Sequence, residues 1–93
     1  EFLGLSDADT ALINMKLGLS RSLRDRRKKC GLSQVQLAEQ LRSSQSRVAK
    51  MEAGDPSVSM DLLVSSLLIL GATSADLAKA IRGGEKGKGR HAA

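Results

Sequence analysis

One aromatic side chain in 93 residues, Phe2, limits what this chain can become. With no Trp and no Tyr, its interior has to be assembled from Leu, Ile, Val, Met and Ala. Sheets draw on β-branched and aromatic residues, whereas aliphatic stripes on helices pack well without them. A chain of this length supplies one modest core, hence one domain. The expected class is all-α. Cys30 is the only cysteine, which excludes an internal disulfide framework and a Cys-only metal site. A reduced, buried structural thiol in a cytoplasmic protein is the expected state. No apolar run approaches the roughly 18–20 residues that span a bilayer. Asp7 and Asp9 stand where a signal peptide would be basic.

The formal charge of +5 is unevenly distributed. Residues 1–15 carry only Glu1, Asp7 and Asp9. From Lys16 to Lys50, ten bases face only Asp25 and Glu39, a local net of +8. The flanking segment 51–82 is acidic again, and the tail from Gly83 is mildly basic. Such a block is either a solvated helix face or a surface for a polyanion.

Local signals divide the chain into five helices. Ser6 reads as an N-cap, with Asp7 and Asp9 suited to the positive end of a helix dipole. Apolar residues recur from Ala8 through Leu12, Met15, Leu19 and Leu23 to Cys30, with Arg26 and Arg27 falling on the stripe. This predicts a helix over about 7–30 that can bend at Gly18 and stops at Gly31. Ser33 and Gln36 form a capping-box pattern for a second helix over 34–41. Ser44 caps a third over 45–53, stopped by Gly54 before Asp55-Pro56. Ser59 caps a fourth over 60–70, and Gly71 ends it. Thr73 and Asp76 open a short fifth helix that ends near Ile81. The domain is assigned to residues 1–82; the Gly-rich, basic stretch 83–93, with His91, reads as a flexible tail.

Within Gln34–Ala53 the spacing predicts a helix-turn-helix. Ala38 falls where the two helices cross most closely, so a small side chain is required. Leu37 and Leu41 on one helix face Val48 and Met51 on the other. Between Leu41 and Gln45 the chain is short enough to force a sharp turn.

The stretch Gly31-Leu-Ser-Gln-Val-Gln-Leu-Ala-Glu-Gln-Leu41, followed by Ser44-Gln-Ser-Arg-Val-Ala-Lys-Met-Glu-Ala-Gly54, resembles the Cro and phage-repressor family, also called XRE-like. The resemblance runs without a gap over about residues 23–71. It implies a five-helix, lambda-repressor-like DNA-binding domain with an extended first helix, commonly a dimeric repressor, in a cytoplasmic protein. Phe2-Leu-Gly-Leu-Ser6, the long first helix and Ser46-Arg-Val-Ala-Lys50 resemble small stand-alone regulators and HigA-type antitoxins within it; an antitoxin would bind both operator DNA and a toxin protein.

The resemblance also implies residue roles. Gln34 corresponds to a phosphate-binding position. Gln45, Ser46, Ala49 and Lys50 correspond to positions that face the major groove. There Gln can pair with adenine, Lys with guanine and the Ala methyl with a thymine methyl. Arg47 and Ser44 are assigned to phosphate, the latter at a helix N-terminus that favours anions. Arg27 and Glu52 correspond to an internal ion pair. Lys28 and Lys29 are assigned to the DNA backbone, with Arg24 and Arg26 as further candidates. The family usually has Gly where this chain has Arg42, a position that often needs positive φ; Arg42 either alters the turn or tolerates the strain and gains a phosphate contact.

Other classes fare worse. His91 has no partners for a triad or metal cluster and Cys30 has no base beside it, so no enzyme and no cofactor are expected. The apolar fourth helix, through Leu63, Val64, Leu68 and Ile69, is the candidate face for a homodimer. A protein-binding adaptor with the same fold is the remaining alternative, and it has no need of the cationic face beside Gln45.

Overall fold

A computed structural model describes the backbone of residues 2–92 and the side chains of residues 7–84. Five helices follow one another: α1 (Phe2–Lys29), α2 (Gln34–Leu41), α3 (Gln45–Ala53), α4 (Met60–Ile69) and α5 (Ser74–Ala92). No strand occurs among the described residues, and the expected five-helix, all-α class holds.

The internal boundaries follow from cap chemistry. Ser33 accepts from the Gln36 N–H at 3.1 Å while the Gln36 side chain accepts from the Ser33 N–H at 2.8 Å, closing the predicted capping box. Ser44 and Ser59 accept from the third N–H of their helices at 3.2 and 3.1 Å. Thr73 and Asp76 make the same reciprocal pair at the start of α5, at 3.1 and 2.9 Å.

The outer ends differ from expectation. Ser6 lies inside α1, which begins at Phe2, because no residue in this stretch forbids a helix and one Gly costs only about 1 kcal/mol. At the other end, α5 runs to Ala92, past the Ile81 limit suggested by the glycines. Its docking on α1 gives the reason as far as Gly84. A Cβ added to Gly18 would strike the Ala80 carbonyl, and one added to Gly84 would strike the Asn14 carbonyl. The two helices therefore meet backbone to backbone, which recovers what glycine costs a helix. Gly18 serves this close approach. The side chains of Phe2–Ser6 and of Glu85–Ala92, His91 among them, lie outside the described residues.

The core gathers Leu19 and Leu23 of α1, Leu37 and Ala38 of α2, Val48 and Met51 of α3, and Leu63 and Leu67 of α4. Val58 seals it from the α3–α4 loop. Lys16 reaches that loop from α1, donating to the Pro56 carbonyl at 3.2 Å. One step of four beyond Leu23, the inward position is occupied by Arg27. Cys30 falls in the turn after α1 and lines an open groove beside α5, so it is exposed, contrary to the buried thiol expected at the end of the stripe.

Candidate nucleic-acid interface

α2 and α3 pack together, with Ala38 only 3 % exposed and Leu37, Val48 and Met51 buried in the core they share. The crossing is set by the turn between them. Arg42 has φ 54° and ψ 48°, the only positive φ on a non-glycine residue among those described. The Ser43 N–H donates to the Ala38 carbonyl at 2.8 Å, a six-to-one closure. The same closure appears after α1, α3 and α4, where Gly31, Gly54 and Gly71 hold the positive φ. Arg42 thus closes its turn as these glycines do and accepts the strain, an αL cost of about 1 kcal/mol or somewhat more.

Four side chains lock α3 to α1 and α2. Arg27 donates to both Glu52 oxygens, at 2.5 and 2.9 Å, and to the Leu32 carbonyl at 2.8 Å. The Arg27 and Glu52 side chains are only 11 % and 4 % exposed. Gln34 donates to Glu52 Oε1 at 3.1 Å, and Gln45 donates to Gln34 Oε1 at 2.6 Å. The polarity of this chain is chemically forced. A carboxylate only accepts, so Gln34 must turn its amide nitrogen to Glu52, and its oxygen is left for Gln45. Burial pushes the Glu52 carboxyl up. Hydrogen bonds from Arg27 and Gln34, with the charges of Arg27 and Arg24, outweigh this and hold it below its ordinary value. The hydrogen bond to Glu52 raises Arg27 despite its burial, so the pair stays ionised.

The outer face of α3 carries Gln45, Ser46, Arg47 and Lys50, all exposed, with Ala49 half-buried between them. Ser44 is exposed beside Ser46, their hydroxyls 3.3 Å apart. Ser44, Ser46, Arg47 and Lys50 line one side of a groove of about 320 Å³. Its other side comes from Ser57, Val58 and Leu62. Ser57 is a polar contributor that the sequence did not single out. It is held in place by two bonds to Asp55 Oδ1, at 2.8 Å from its N–H and 2.6 Å from its hydroxyl. An Asp-Pro-Ser turn was the available signal.

The structure sorts the remaining cations by face. Arg24 lies close enough to act on Glu52, on the α3 side of α1. Lys28 is exposed at the end of that helix. Lys29 instead lines a groove between α1 and α5. Arg26 turns the same way and pairs with Asp76 at 3.1 Å. Arg42 is exposed at the α2–α3 turn. Among the candidate dimer residues, Leu63 is 1 % exposed and belongs to the core, which corrects its assignment to a surface. Val64 packs against that core from the side, while Leu68 and Ile69 are 50 % and 56 % exposed.

No described helix is long and apolar enough to cross a membrane. No match to this chain was found among curated proteins or solved structures. A family model described as a helix-turn-helix domain matches residues 19–80, from the middle of α1 into α5. That span holds the α2–α3 crossing, the strained turn and the Arg27–Glu52 brace, and the chain belongs to the helix-turn-helix domain family.

Proposed function

We propose that this protein is a sequence-specific DNA-binding transcriptional regulator that acts as a dimeric repressor. The observation that carries the reading is the hydrogen-bond chain Arg27–Glu52–Gln34–Gln45, which ends on the exposed face of α3. A side chain that discriminates base edges must be held before it meets DNA, or binding has to supply the ordering. Gln45 is held, and it still has one amide hydrogen and its carbonyl oxygen free for adenine. Ser46, Ala49 and Lys50 continue that face. Arg47, Ser44, Arg42 and Lys28 flank it as phosphate partners, and Ser57 joins them across the groove. Gln34 acts through Gln45 as well as toward phosphate. Lys29, on the α5 side, drops out of this set.

Leu68 and Ile69, with Val64, are the proposed dimer contacts. Two-fold symmetry then calls for a palindromic operator with half-sites about one helical turn apart. A second reading, an antitoxin that also binds a toxin protein, is supported by Leu12 and Ile13 on α1, which are 46 % and 57 % exposed.

The test is a binding selection from genomic fragments at near-physiological salt, followed by sequencing. Enrichment of a palindrome is the expected result. Binding that is purely salt-sensitive and indifferent to sequence would sink the base-reading assignment.

A further inference from the structure

On the side of α1 turned toward α5, positive side chains converge on a groove of about 590 Å³. Arg21, Arg26 and Lys29 line it from α1, and Lys79 lines it from α5. Asp25 and Asp76 are its carboxylates, so two positive charges are in excess. Asp76 is already engaged, accepting from the Thr73 N–H at 2.9 Å and pairing with Arg26 at 3.1 Å. That pairing leaves the Arg26 Nε–H buried without an acceptor. Arg21, Lys29 and Lys79 form no ion pair among the described residues. The walls between these charges are small, Gly18 and Ala80 among them, and no aromatic residue lines the groove.

These features define a ligand by its chemistry. Excess positive charge on side chains without carboxylate partners calls for several anionic oxygens. The lack of an aromatic or large aliphatic lining disfavours a nucleobase or an apolar molecule. We propose that the α1/α5 groove binds a compact polyvalent oxyanion, a small molecule bearing two or more phosphate or carboxylate groups. Its contacts come from both helices, so occupancy ties α5 to α1. This assignment stands whether or not α3 reads bases.

Calorimetric titration of the full chain with tripolyphosphate and with citrate, in about 0.15 M salt, tests it. One-to-one saturable binding of at least one anion is expected, and the tighter of the two distinguishes a phosphate site from a carboxylate site. The double substitution Arg21→Gln/Lys79→Gln, at exposed positions, should weaken that binding roughly tenfold or more. Lys16→Gln/Arg82→Gln removes as much charge at positions outside the groove lining and outside the proposed DNA face, and should leave it within about twofold. Absence of saturable binding to the wild type would overturn the proposal, as would equal losses in the two double variants. Tighter binding of a hexaglutamate peptide than of either small anion would also overturn it, in favour of a protein contact.

Discussion

Arg27 and Lys29 stand two positions apart on α1, yet they belong to different surfaces. Arg27 turns toward α3, where a carboxylate takes both ends of its fork and leaves it 11 % exposed. Lys29 turns toward α5 and lines an open groove with Arg21 and Lys79. Successive residues of a helix point about 100° apart, so a run of like charges in sequence is dealt out around the cylinder. On the α3 side, the Arg27 charge is paired internally and, through Glu52, holds Gln34 and Gln45 in place. On the α5 side the Lys29 charge remains available. The basic block that seems one feature in the sequence is thus dealt onto different surfaces, one where Arg27 is paired internally and one where Lys29 lines an open groove.

Removing a partner from each side separates the two surfaces most strongly. Glu52→Gln should destabilise the fold by roughly 3 kcal/mol, since it leaves a poorly exposed guanidinium without its counter-charge. Asp76→Asn, which releases the more exposed Arg26, should leave the unfolding midpoint close to that of the wild type. Urea unfolding of both variants checks the contrast, and similar losses would mean that burial does not separate the two faces. The pH dependence has a definite sign. Glu52 is held below its ordinary value in the folded state, so its contribution is complete above the unfolded carboxyl pKa of about 4.3. It is lost as pH falls through the folded value. Stability from this pair should be flat between about pH 5 and 8.

A second variant sharpens the α5 side. Gly18→Ala gains about 1 kcal/mol of helix propensity but drives a methyl into the Ala80 carbonyl. The clash should win, with a net loss of roughly 1–2 kcal/mol and weaker protection of α5 amides in hydrogen exchange. A gain in stability would show that α5 does not sit this close.

On the DNA side, Lys50→Ala should cost about 1–3 kcal/mol on the preferred site and little on random DNA. Lys28→Ala should weaken both equally and lower the slope against log salt by about 1. Equal losses on the two DNAs for Lys50→Ala would move that residue from bases to phosphate.

The smallest effect is at the turn. Arg42→Gly should stabilise the protein by about 1 kcal/mol, because αL costs glycine nothing, and this corresponds to a midpoint roughly 4–8 °C higher. If stability instead falls, the arginine side chain compensates for its own backbone.

These contrasts follow the line between what was readable in the sequence and what was not. The bounds of α2 and α3 were readable to the residue, because Ser33, Ser44 and Gly54 act through bonds within one turn of their own position. Ala38, Leu37, Val48 and Met51 were readable for a related reason, as their spacing fixes a face. The Arg27–Glu52 pair spans 25 positions and was reached only through the family resemblance. Direction around α1 was not readable, so Cys30 was expected inside and Lys29 on the DNA face. Leu63 was one apolar residue among many on a helix too uniformly apolar for its period to show which side is core. Glycines misled most at α5. They read as breakers locally, while Gly84 serves a contact with Gly18 that only the folded chain creates.

The most direct test of base reading by α3 is fluorescence anisotropy at about 0.15 M salt, comparing the selected duplex with a shuffled duplex of the same composition. The wild type should prefer the selected site at least about a thousandfold, and Gln45→Ala should lose most of that preference while keeping its affinity for the shuffled duplex. Equal affinity of the wild type for the two duplexes would contradict the assignment of α3 as a reader of sequence.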